Sequence, residues 1–222
     1  MSSRLPDITS GESLKCQFAS QIYDFIQAEI LNLSINQLDF ESKHWLWSRW
    51  SIRRNLSHVA SGDFRWFYGR WGIEQLSDSL PYIPDIDDIL NSDYDRRLDE
   101  TRYWGIEIIL GKVRQGLGIS QSILNIESHS SLLTKEIILD NNQQMTLFSS
   151  AHPRGFYIDK KDSKRVHVTL EATLRHRYFE YITHLHNIQR LKLAQGLTCV
   201  VELPHVGYWA LPTWDRSIPS NV

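Results

Sequence analysis

Three side chains with metal-ligand chemistry, His176, Glu180 and His184, stand at successive four-residue intervals in a stretch that reads as one long helix. Residues four apart on a helix lie on one side about a turn apart, so such side chains can converge on a single ion. Imidazole nitrogen together with carboxylate oxygen suits Zn, Ni, Fe or Mn, and three protein ligands leave positions open for water or a substrate. Glu180 and His184 border the apolar stripe of the helix, whereas His176 lies toward its polar side. The first two are the better ligand candidates, with His176 left to replace or supplement Glu180. The same spacing also occurs on solvated helix faces, where it forms only a polar cluster.

The helix that must carry this set is predicted over 170–195. Leu170, Leu174, Tyr178, Tyr181, Ile182, Leu185 and Ile188 form its stripe, and Gly196 supplies the stop. Three further amphipathic helices are expected. The first spans 14–32, with Leu14, Phe18, Ile22, Phe25, Ile26 and Ile30 on one face, after a loose lead-in over 1–13. The second spans 51–70 with Ser51 as N-cap, after a connector over 33–50. Ile52, Leu56, Val59, Ala60, Phe64 and Phe67 share its apolar face; Ser51, Asn55, His58, Gly62 and Gly69 lie opposite. Two glycines inside a helix cost about 1 kcal/mol each relative to alanine. A small-residue face with a histidine therefore implies close approach by another helix or a site.

The region 72–91, punctuated by Pro81 and Pro84, reads as a break, and the third helix is expected over 95–127. Gly111, Gly116 and Gly118 weaken its middle and point to a kink or break there. The least helical part is 128–168, with short strands expected at 136–139 and 165–168. The tail over 197–222 carries Val200, Val201, Trp209, Leu211 and Trp214. It is too apolar to hang free and should pack on the helices or on a second subunit, making a homodimer possible. Four amphipathic helices with some long connections suggest a mainly α bundle, one domain over 1–222.

Composition narrows the function classes. The net charge of -2 and the absence of a like-charge block argue against nucleic-acid and membrane partners. No apolar run approaches the roughly 18 residues of a membrane span. The start lacks a basic stretch followed by an apolar core, so the expected location is cytoplasmic. Cys16 and Cys199 form no disulfide framework and have no metal-ligand spacing. Gly111, Gly116 and Gly118 are not followed by Lys-Ser or Lys-Thr, and Gly-x-Ser-x-Gly is absent, so neither a phosphate-binding loop nor a serine-hydrolase elbow is indicated. His44, His129, His152, His167 and His205 form no set, and His186 lies on another face from His184. Asp63 is poorly placed to share a ligand with His58, whereas Asn187 or Tyr181 is a candidate to orient a ligand histidine.

The stretch Trp50-Ser51-Ile52-Arg53-Arg54-Asn55-Leu56-Ser57-His58-Val59 resembles the start of the second helix in DinB/YfiT-like proteins. There a Trp-Ser opening leads to a metal-binding histidine, here His58. The last bundle helix of that family supplies two histidines four residues apart, followed after about three turns by a glycine. Here His184 lies twelve residues before Gly196, and position 180 is Glu where the family usually has His. The resemblance implies a four-helix bundle with a long, partly extended insert before the last helix and an apolar C-terminal tail, the last two lying outside the likeness. It implies a divalent-metal site at His58, Glu180 and His184, with Zn, Ni, Fe or Mn as candidates. It further implies a metal-dependent hydrolase or thiol S-transferase acting on a small molecule, walled by aromatic residues. The carboxylate at 180 is also compatible with a site that has lost its metal, leaving a metal-free stress-related or interaction protein on the same fold.

Overall fold

The computed structural model describes residues 21–219. The chain is mainly helical, with one small antiparallel sheet. α1 (Ile22–Ile30) buries Ile22, Ile26 and Ile30, the periodic residues of the first expected helix; Leu14 and Phe18 lie outside the described residues. After the short α2 (Ile35–Leu38) and a 3-10 turn (Leu46–Arg49) comes α3 (Ile52–Phe64). Ser51 caps α3: its side chain accepts from the Arg54 N–H at 3.2 Å. α3 does not stop at Phe64 but widens into a π-helical segment, Arg65–Trp71, closed by the Gly72 N–H donating to the Phe67 carbonyl at 3.1 Å.

Both faces of α3 are buried. Ile52, Leu56 and Phe64 enter the hydrophobic core, and Asn55, His58 and Gly62 on the opposite side are covered as well. The close approach expected at Gly62 is made by α9 (Leu170–Ala194): a Cβ at Gly62 would overlap the guanidinium of Arg177. α9 is capped by Thr169, whose Oγ1 accepts from the Ala172 N–H at 3.2 Å. It ends in a Schellman turn, with Gly196 at φ +72°. There the Leu197 N–H donates to the Lys192 carbonyl at 2.9 Å, and Gly196 to Leu193 at 3.0 Å.

Between these two helices the chain departs from several expectations. The 72–91 break contains two short helices, α4 (Ile73–Leu76) and α5 (Ile86–Leu90). The third long helix, α6 (Ile106–Ile126), begins eleven residues later than expected. Its forerunner is held irregular because α3 recruits its backbone: Ser57 Oγ accepts from the Leu98 N–H at 3.0 Å, and Ser61 donates to the Arg96 carbonyl at 2.5 Å. Asp95 and Arg96 take positive φ to meet those partners. α6 runs through its glycines without the break that they allowed; Gly116 leaves room for Asp63, whose Oδ2 lies 3.1 Å from where a Cβ would stand.

The least helical stretch nevertheless holds α7 (His129–Thr134) and α8 (Gln143–Ala151). Its strands are β1 (Glu136–Asp140), β2 (Phe156–Ile158) and β3 (Arg165–Thr169), in the order β1-β3-β2. β1 and β3 were legible in the sequence and pair Ile138 with His167; β2 was not expected. The tail folds back on its own chain, burying Val206, Tyr208 and Ala210, although Val200 stays exposed. One apolar core joins α1, α3, α6, α9 and the inner sides of the sheet. No described helix is long and apolar enough to cross a membrane.

Candidate metal centre

α3 and α9 lie side by side, so the covered polar face of α3 meets α9 one turn after Arg177. His58, Glu180 and His184 meet at this seam, each offering one ligand atom within 4.8 Å of the others. His58 Nε2 stands 3.2 Å from Glu180 Oε2, His184 Nε2 stands 3.7 Å from the same oxygen, and the two imidazole centroids are 4.7 Å apart. Trp50 backs both rings. It stacks on His184 at 6.3 Å and tilts over His58 at 5.1 Å.

The other nitrogen of each ring fixes its tautomer. His184 Nδ1 lies 2.7 Å from Asn55 Oδ1. The Asn55 amide is itself oriented, because its Nδ2 donates to the carbonyls of Trp50 and Ser51 at 3.0 and 2.9 Å. Only the oxygen of Asn55 is then left for His184, so His184 Nδ1 carries the proton. His58 Nδ1 faces the Arg96 carbonyl at 3.2 Å, an acceptor without a proton of its own, and so donates as well. In the neutral form of each ring the Nε2 lone pair consequently points toward the Glu180 carboxylate, so that three acceptors converge.

The electrostatics deepen this deficit. Burial, opposed mainly by Glu180, lowers the pKa of His58 to about 4, so its ring is neutral at pH 7. Burial alone would push Glu180 up, but His184 and His58 hold its carboxyl well below the usual carboxylate range. An ionised carboxylate facing the Nε2 atoms of two imidazoles, whose Nδ1 atoms are anchored by Asn55 and the Arg96 carbonyl, is a set of donor atoms that fits a divalent transition-metal ion.

Comparisons with protein-family models, with curated proteins and with solved structures return no match. The likeness of the Trp50–Val59 stretch and of the His184–Gly196 spacing therefore stands on those residues themselves.

His176 does not join the three. It is buried, and its Nδ1 meets the Tyr208 hydroxyl at 2.7 Å, which in turn meets His152 Nε2 at 3.1 Å. Burial lowers His176 well below its ordinary value and His152 to about 3. His152 and His176 thus form a neutral set through Tyr208 that the sequence did not reveal, because the tail supplying Tyr208 is remote. His167 also has unexpected partners, Glu136 and Asp159, each at 2.9 Å across the sheet.

The two residues considered as orienters serve elsewhere. Tyr181 donates to Asp63 at 2.5 Å, and Asn187 Oδ1 is buried without a hydrogen-bond partner among the described residues. Asn55 and the Arg96 carbonyl do the orienting. Asn55 was recognisable as sharing a face with His58, but nothing local indicated that Arg96 would loop across. The three ligand candidates open on a cavity of about 230 Å³, whose aromatic walls include Trp50, Trp66, Phe148 and Trp214.

Proposed function

We propose that the chain is a DinB/YfiT-like helical bundle that holds a divalent metal ion on His58, Glu180 and His184. We further propose that it catalyses a metal-dependent hydrolysis or thiol S-transfer on a small molecule. The observation that carries this reading is the convergence of three acceptor atoms whose neighbouring N–H groups are committed to Asn55 and to the Arg96 carbonyl. Converging lone pairs of that kind favour a bound cation at their centre. The Trp50-Ser51 opening of α3 and the distance from His184 to the Gly196 stop support the family reading.

A divalent ion there supplies Lewis acidity, which lowers the pKa of a nucleophilic water or thiol. The chain's own residues do the rest. Asn55 and the Arg96 carbonyl hold both imidazoles in the tautomer that presents Nε2. Trp50 packs against the two rings and limits water around them, and the aromatic walls enclose the reacting molecule.

Elemental analysis of untagged protein, wild type against His184→Ala, tests the reading. We expect near-stoichiometric metal in the wild type and its loss in a folded variant. A wild type that takes up no metal after incubation with Zn, Ni, Fe and Mn overturns it and leaves a metal-free binding protein.

A further inference from the structure

The cavity beside the three ligand candidates is cationic in a way the candidate metal site does not require. Arg65, Arg70, Arg96 and Arg177 line it, against the single carboxylate of Glu180. Two of these arginines are neutralised within the chain: Arg177 faces Asp63 at 3.5 Å, and Arg96 pairs with Asp95 at 3.3 Å. Arg65 and Arg70 form no ion pair and no side-chain hydrogen bond with any described residue. The Arg70 guanidinium carbon sits over the Trp66 indole, 3.9 Å from its centroid, a cation–π contact rather than an ion pair.

The helix geometry itself brings the two together. In an α-helix, at 3.6 residues per turn, positions five apart diverge by about 140°. Arg65 and Arg70 begin and nearly end the π-helical segment, whose wider turn bonds each residue to the fifth one on and returns both side chains to the same cavity. The result is like-charge crowding. Burial of its stem first, then the charges of Arg65, Arg177 and Arg96, opposed by Glu180, lower the pKa of Arg70 to about 10, although the residue is exposed at the cavity mouth. Burial and then Arg96 lower Arg65 as well. Asp95 and Glu180 offset this crowding only from a distance, so two neighbouring guanidiniums stand at the cavity without a direct ion pair among the described residues.

We propose that Arg65 and Arg70 bind the oxyanion group, carboxylate or phosphate, of a small acidic substrate whose reacting end lies at His58, Glu180 and His184. This assignment rests on the metal-centred reading for the reaction but not for the anion contact. Planar guanidinium forks match carboxylate and phosphate oxygens with paired hydrogen bonds, whereas the aromatic walls accept the rest of the molecule.

Titration calorimetry at low ionic strength, where salt does not mask the charges, tests it with inorganic phosphate and succinate as probes. The proteins are the wild type, Arg65→Gln/Arg70→Gln, and His184→Ala, each checked for folding by its melting curve. We expect saturable binding of at least one probe by the wild type, about tenfold or more weaker in the double variant, as befits the loss of charge-assisted hydrogen bonds. His184→Ala should bind as the wild type does, and Arg65→Lys/Arg70→Lys should recover part of the affinity. The better probe tells a carboxylate ligand from a phosphate one. Absence of binding by the wild type, or equal binding by the Gln double variant, overturns the proposal. Loss confined to His184→Ala places the anion on the metal, overturning the proposal while supporting the metal site. Loss confined to the Gln variant in a protein that takes up no metal keeps the anion site and removes the metal-dependent reading.

Discussion

Two polar clusters bridge α3 and α9 within about two turns of each other, and they are balanced in opposite ways. Around Asp63 every acceptor has a donor. Ser120 donates to Oδ1 at 2.8 Å, Tyr181 to Oδ2 at 2.5 Å, and the buried Arg177 guanidinium supplies the opposing charge. Around Glu180 the carboxylate faces only two imidazole Nε2 atoms, and the Nδ1 atoms of both rings are turned outward to Asn55 and the Arg96 carbonyl. The same helix pair thus carries one cluster whose carboxylate is paired within the protein and one that, on the proposed reading, takes an ion. Completed polar networks fix a fold; incomplete ones at a cavity mark where chemistry is done.

The largest effect expected from breaking this contrast is on the completed side. Asp63→Ala strands Arg177 in the core and should cost about 3–5 kcal/mol in urea unfolding, as for other buried pairs that lose one partner. If the variant unfolds with wild-type midpoint, Asp63 and Arg177 are not the balanced pair described.

The next effect is on the incomplete side. Asn55→Ala frees His184 Nδ1 and should lower metal affinity about 10- to 100-fold in a competition titration, the range for losing an outer partner of a ligand histidine. Unchanged affinity would show that the tautomer of His184 is not set by Asn55.

The smallest effect is graded with pH. His58 and His152 have folded pKa values of about 4 and about 3, lowered by burial, against 6.5 for the free side chain. Below pH 6.5 the unfolded chain therefore binds protons that the folded chain refuses. The stability of metal-free protein is fully present above that pH and is lost as it falls toward 4, by up to about 1.4 kcal/mol per unit for each histidine. Melting temperatures across pH 4–8 for the wild type and His58→Gln should show a shallower acid decline in the variant. Parallel curves would mean that His58 is not buried in its neutral form.

The convergence of His58, Glu180 and His184 was more legible than the elements around it. The Ser51 cap, the Gly196 stop and the four-residue step from Glu180 to His184 are local signals, and local signals survive folding. The start of α6 was not legible, because residues 95–105 have helical composition and are kept irregular by side chains of α3 some forty positions away. The partners of His152 and His176 were hidden for the same reason, since Tyr208 enters from the tail. At Arg65 and Arg70 the obstacle was the period: an α-helical reading places them on different sides, and only the widened turn reunites them.

That widened turn also makes the register of the chain after Phe64 sensitive to length rather than to residue type. Trp66, Phe67 and Trp71 are buried while Arg70 opens outward, an arrangement tuned to a helix with a residue to spare. Deleting a single position there, Gly69 for instance, would let ordinary winding resume and swing the following segment around the axis. Trp71 would leave the hydroxyl of Thr173 that it now reaches at 3.1 Å, and Arg70 would turn away from the cavity. Substitutions along Arg65–Trp71 change one side chain at a time; a change of one residue in its length would reset them all together.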